Sequence, residues 1–555
     1  MNSFNNNYKS SVDEDFDFFL EQLKKSHYSI QEKAKKHQTV LVKEPQQELG
    51  PKYPVESFNY EAELSRLDDN TLTPEELTEE MYSFVQGASR PQSYLSLFNM
   101  VPAPMTQATV ASCLSTIYNI NSLMDMYGGK SMLIEQKVVR TIGKWVDWNE
   151  SYGIACNGGK LTMLYAVKSA ISRISPESQL KGIPDNLVVI VNEGGHYCVE
   201  HVCSILGIGS QNCLRSPICP DGKIDMPALE ALLKVQVKKG NKIAAIICCG
   251  GTTINFCCDD TAMIGQLVDR FVEDHQLDYR PYLHLDSVIG WLYFSLLKES
   301  DVKIRSLKTS PFIVNKLLEV KNRFKGLHSF DSFGVDFHKD GLCPYSSSFF
   351  ISKSSACFNL LTQGDYTYNH NDFEFEQFRA YRYTLENSRP SQGILSSWIV
   401  LKKLGREGLL QYLIELHETQ HRIIERMGLK DIFKILNISS LGWEVVFSID
   451  FRMLMSLQGE SFEIHQVAMA FMQRCWDKVN KGELFPFFSI VPDYKSDTVE
   501  QKTTAFLLYP MQTELSIKNI DEILNDIASE VILFQKEIIE NSQTLTTRIL
   551  EKPIR

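Results

Sequence analysis

The chain has 555 residues, of which 43% are hydrophobic and 23% charged, and a formal net charge of −11. That length exceeds one simple domain and is ample for a large core, and the acidic balance argues against nucleic-acid or anionic-membrane partners. No apolar run approaches the ~20 residues of a membrane span, and Met1–Leu20, rich in Asn, Asp and Phe, does not read as a secretory signal. Thirteen cysteines form no regular framework. Several lie in apolar runs (Cys248-Cys249, Cys257-Cys258), which predicts reduced, buried thiols and a cytoplasmic protein.

Residues 1–94 are polar and read as an extension that packs on something larger. Helical patches are expected over Asp13–Lys25 and Pro74–Gly87, the second opened by Thr73 with Glu75 and Glu76 in its first turn. Over 95–395 compact apolar runs at Leu187–Val191, Lys242–Cys249, Pro281–Leu285 and Ser346–Ile351 alternate with helical patterns at Lys160–Ile174, Pro227–Lys239 and Thr261–His275. Such alternation predicts a mostly parallel sheet with helices on both faces. Over 396–555 long amphipathic helices (Gly393–Leu404, Gly408–Met427, Glu463–Lys481, Asn519–Lys536) mix with short strands (Glu444–Ile449, Ala505–Tyr509), which predicts a smaller α+β domain.

The residues that carry chemistry fall at strand ends, where such sheets bind ligands. Gly158-Gly159-Lys160 opens a helix, whose free N–H groups and dipole suit a phosphate. Glu193-Gly194-Gly195-His196 follows a strand and offers an imidazole to stack on a flat ring. Gly251-Thr252-Thr253 leads through a turn to Asp259. His284-Leu285-Asp286-Ser287 delivers a carboxylate, and Ser332–Lys339 delivers a histidine and then a lysine. A lysine and an aspartate, each closing its own strand, are what pyridoxal 5′-phosphate (PLP) chemistry requires: the amine joins the cofactor aldehyde and the carboxylate pairs with the protonated pyridine nitrogen. His196-x-Cys198-x-x-His201-x-Cys203 has the ligand types of a zinc site, but a helix through Tyr197–Leu206 places them on more than one face, so no metal is expected.

Taken in order, these motifs resemble those of the group II PLP-dependent decarboxylases, the aromatic-amino-acid, histidine, tyrosine and glutamate decarboxylases among them. The resemblance runs from Cys156-Asn157-Gly158-Gly159 through His196-Tyr197-Cys198 and Leu206-Gly207-Ile208-Gly209, Gly251-Thr252-Thr253 to Asp259, His284-Leu285-Asp286-Ser287 and Asp336-Phe337-His338-Lys339. It ends with Asn387-Ser388-Arg389, Trp398 and Leu404–Gly408, and covers about 95 to 535. It implies fold type I, a large domain with a mostly parallel seven-stranded sheet and a small C-terminal α+β domain, in a cytoplasmic homodimer with shared active sites.

By the same resemblance Lys339 is the Schiff-base lysine and His338 helps hold the phosphate. Asp286 pairs with the pyridine nitrogen, Ser287 sits against one ring face and His196 stacks on the other. Gly158, Gly159 and Lys160 bind phosphate, while Thr253 and Asp259 brace the ring and its shell. A loop tyrosine, Tyr368 with Tyr366 as second choice, returns a proton to the substrate carbon. The segment Leu97–Pro102, with Met100 and Pro102, corresponds to one lining the substrate side-chain pocket; Met100 and Val101 suit an apolar or aromatic substrate, whereas Arg379, Arg382 and Arg389 suit an acidic one, and the sequence does not decide between them. The implied reaction is α-decarboxylation of an L-amino acid by a carboxy-lyase. The rivals are an aldehyde synthase or carbon–carbon lyase on the same fold, and a degenerate regulatory or scaffold protein. The chain departs from the family pattern at Lys160, at Leu161-Thr162-Met163, at Ser287, and by extra sequence over about Lys298–Lys325.

Overall fold

The structure is a computed structural model, and it describes residues 16–36, 60–65, 70–362, 379–455, 463–496 and 499–540. Contacts divide the chain into two units, one of residues 1–99, 419–436 and 445–555, the other of 100–418 and 437–444.

The second unit is built on a seven-stranded sheet: β1 (Tyr152–Cys156), β2 (Leu187–Asn192), β3 (Cys213–Ser216), β4 (Lys242–Cys249), β5 (Tyr282–Asp286), β6 (Ser332–Asp336) and β7 (Ser348–Ser352). Their spatial order is β1-β7-β6-β5-β4-β2-β3. β3, β2, β4, β5 and β6 pair in parallel, while β7 runs antiparallel between β6 and β1. β2 is buried at all six positions and β4 at seven of eight, as expected of strands covered on both faces. The helices Gly159–Ile174, Cys198–Ile205, Met226–Lys238 and Thr261–Asp274 follow β1, β2, β3 and β4 in turn. Asp225 and Asp260 cap the last two, each accepting backbone N–H bonds from the first turn. The extra sequence over Lys298–Lys325 forms two helices, Asp301–Arg305 and Pro311–Arg323, capped by Ser300 and Ser310.

The expected helix Pro74–Gly87 is found at Pro74–Val85, with a full capping box between Thr73 and Glu76. The two helices expected on either side of Gly405 are found within Gln392–Met427, separated at Gly405, whose φ of 60° is not helical. The first unit holds an antiparallel sheet ordered β10 (Ser489–Ser496), β11 (Val499–Leu508), β9 (Val445–Ile449), β8 (Phe433–Ile435). Its core gathers Phe447, Phe471, Phe506 and Phe534 against the helices Ile464–Asn480 and Ile517–Glu540. Among the described residues no helix is long and apolar enough to cross a membrane.

Candidate active site

The carboxyl ends of the sheet strands open on one cavity of ≈ 400 Å³, a size typical of small-molecule sites. After β1 the wall is Gly159 and Lys160. The turn after β2 brings Gly194 to His196, and that after β4 brings Gly251 to Ile254. β5 delivers Asp286 and Val288, and β6 delivers Asp336, His338 and Lys339. Lys339, Asp286, His196, His338, Thr253, Gly159 and Lys160, all singled out in the sequence, therefore share one space.

Lys339 stands on a short helical turn, Phe337–Asp340, directly after β6. Its Nζ lies 3.1 Å from Oδ2 of Asp336. Burial works against the ammonium, yet the Asp336 and Asp286 carboxylates outweigh it and hold Lys339 above its ordinary value. Asp286 is affected the other way: burial pushes its carboxyl up to about 6, while Lys339 pulls it down. His338 turns Nδ1 to the N–H of Ser347 (3.2 Å) and Nε2 toward Asp336 Oδ2 (3.6 Å).

His196 accepts the N–H of Cys198 at Nδ1 (3.1 Å), and its ring stacks on Tyr197 with centroids 4.3 Å apart. Burial and the nearby Lys339 and Lys160 lower its pKa, which favours a neutral imidazole. The turn that carries it is clamped by Arg215 of β3, whose Nη1 donates to the carbonyls of Glu193 (2.7 Å) and Gly195 (3.0 Å) while Nε donates to Glu200 (2.7 Å). Lys160 is exposed at the rim, its Nζ 3.1 Å from Nδ1 of His201. Along the same helix Cys198 and Cys203 point into the core.

Other expected residues lie elsewhere. Ser287 is buried beneath the wall and its hydroxyl donates to the carbonyl of Gly334 at 2.7 Å. It is therefore spent between β5 and β6, and Val288 lines the cavity instead. Gly158 is the cap of the helix Gly159–Ile174, with a φ of 108° that suits glycine, and does not line the cavity. Asp259 sits below the cavity, accepting hydrogen bonds from Asn192 Nδ2 and the N–H groups of Ile224 and Cys249. It reaches His196 only indirectly, because Asn192 Oδ1 holds the N–H of Gly194.

The substrate residues need correcting as well. Met100 and Pro102 are buried and do not line the cavity. Arg389, 3% exposed, is committed to Glu135 through both terminal nitrogens and to the carbonyls of Ala155 and Ser122, so it is a structural cation. Tyr366 and Tyr368 lie outside the described residues.

Sequence reasoning passed over Asp336 and Arg215. Asp336 stood inside the quoted lysine motif, and an acid three residues before a lysine was its signal. Arg215 belongs to a four-residue strand too short to register. The donor set fits PLP: an amine, a carboxylate for a ring nitrogen, an imidazole wall, and the first N–H groups of a helix, which no intrahelical carbonyl reaches.

No family model matches the chain. A glutamate decarboxylase-like protein of Gibberella zeae is 26% identical over 177 residues, 31% of this chain and 34% of that protein. The chain thus spans about a third of that relative's length. Mouse CSAD matches in structure with a TM-score of 0.74 at 16% identity, over 92% of this chain and 99% of that one. Oryza sativa TDC, solved with PLP and tryptamine, matches with a TM-score of 0.72 at 14% identity, over 94% and 98%. The fold is fold type I, and in sequence the chain resembles the group II PLP-dependent decarboxylases.

Proposed function

We propose that this chain is a PLP-dependent carboxy-lyase that removes the α-carboxylate of an L-amino acid, acting as a cytoplasmic homodimer. The observation that carries this reading is that Lys339 and Asp286, delivered by the adjacent parallel strands β6 and β5, face one cavity. Likeness to decarboxylases in sequence and fold supports it.

Bound PLP supplies an aldehyde for a lysine amine and a heterocycle that draws electrons from the substrate Cα. Lys339 provides that amine once its ammonium, held beside Asp336, gives up a proton. Asp286 would set a negative charge against the ring nitrogen and keep that nitrogen protonated. His196 walls the ring face as a neutral imidazole, and Arg215 keeps its turn in place. Gly159 and Lys160 would hold the phosphate through backbone N–H groups, and the Thr253 hydroxyl, on the same cavity wall, would brace the ring. By the family resemblance Tyr368, or Tyr366, returns a proton to Cα.

The test is to load the purified protein with PLP and offer a panel of L-amino acids. CO2 and a primary amine without oxygen uptake are expected, and Lys339→Ala should abolish the yellow absorbance of the loaded protein. A wild-type protein that stays colourless with PLP would overturn the reading. Oxygen uptake with an aldehyde product would instead favour an aldehyde synthase.

A further inference from the structure

Asp336 closes β6 with its side chain 1% exposed. Its Oδ1 accepts the hydroxyl of Ser348, its register partner on β7, at 2.5 Å. Oδ2 turns toward Gly159, the first residue of the helix Gly159–Ile174: a Cβ added there would lie only 2.9 Å from it. The groups nearest Oδ2 are Lys339 Nζ at 3.1 Å and His338 Nε2 at 3.6 Å, and among the described residues no backbone N–H donates to it. A buried carboxylate oxygen thus lies beside the first residue of a 16-residue helix, close to free N–H groups and a dipole that favour an anion. It is the place that the sequence pattern reserves for a phosphate.

The charges around it do not cancel simply. Lys339, His338 and Asp340 face Asp336 from its own turn, Asp286 from β5, Cys156 from β1 and Tyr345 from the segment before β7. Lys160 shares the cavity wall, with His201 beside it. Two anions in one cradle repel, and low local dielectric strengthens that repulsion.

We infer that Asp336 is a specificity-determining residue for the phosphate: its negative charge beside the helix N-terminus weakens the protein's preference for PLP over unphosphorylated pyridoxal. This rests on the PLP reading above. Asp336 also touches Lys339, but any effect through the amine acts on both aldehydes alike and cancels in the ratio of their dissociation constants. Only the phosphate distinguishes them.

The experiment titrates the full chain, freed of cofactor, with PLP and with pyridoxal, following absorbance and fluorescence of the bound aldehyde. Asp336→Asn and Asp336→Ser, both neutral and of different size, are compared with wild type, and circular dichroism confirms that each is folded. Removing the charge should raise the ratio of the pyridoxal Kd to the PLP Kd by about ten-fold or more in whichever variant folds. An unchanged or lower ratio would overturn the inference while leaving the cofactor reading intact. Failure of the wild type to take up either aldehyde would instead sink the cofactor reading, and this inference with it.

Discussion

Asn192 donates from Nδ2 to Oδ1 of Asp259 at 2.9 Å, tying the end of β2 to the turn that follows β4. The same carboxylate holds the backbone of Ile224 and Cys249 at 2.7 Å each, so one buried group fixes the strand ends on which the cavity is built. Asp259→Ala leaves three buried donors without their acceptor. It should destabilise the fold by about 2–4 kcal/mol, read as a drop in the denaturant midpoint. Loss of activity with an unchanged midpoint would contradict this structural role.

Arg389→Ala should cost about 3–5 kcal/mol, because it strands the fully buried Glu135 without its cation. Chemical denaturation measures it directly. A stable Arg389→Ala protein whose only defect is a raised KM would restore Arg389 to the substrate site.

Asp286 carries a pH signature. Its carboxyl is raised from 3.8 to about 6, so between those values the folded chain holds a proton that the unfolded chain has released. Stability of the cofactor-free protein should therefore fall as pH climbs from about 4 to about 6 and stay reduced above. Asp286→Asn should recover up to about 3 kcal/mol at pH 7 relative to pH 4. A residual slope should persist from Asp259, which is also raised to about 6 by burial. Urea unfolding at both pH values decides it: a wild-type slope in the variant would refute the burial effect.

Lys339 should capture pyridoxal slowly at neutral pH and faster as the solution becomes alkaline, with a midpoint above the ordinary lysine value of about 10.4. The cause is the pair of carboxylates that hold its ammonium. Asp336→Asn removes one of them and should move the midpoint downward. Stopped-flow rates of pyridoxal uptake against pH report it, and an unmoved midpoint would show that the ion pair does not control the amine.

Much of the fold was legible because its strands are continuous apolar runs bounded by glycine: Lys242–Cys249 is found at the same residues. β1 was hidden, since its five residues contain Gly153 and run straight into the Gly158-Gly159 turn. The site was legible where chemistry follows from a strand ending, as at Asp286 and Lys339. It was not legible where direction depends on a neighbour distant in the chain. Nothing near Ser287 reveals that Gly334 will claim its hydroxyl, and nothing near Arg389 reveals Glu135, 254 positions earlier.

β7 lies opposite β6 so that Ser348 faces Asp336 and Phe349 faces Val335. Because successive side chains on a strand point to opposite sides, the segment 341–347 is locked in length. Losing a single residue there and sliding β7 by one place would set the Phe349 ring, in place of the Ser348 hydroxyl, against the carboxylate. Natural variation and engineering alike should respect that spacing, even where the residues between are freely exchanged.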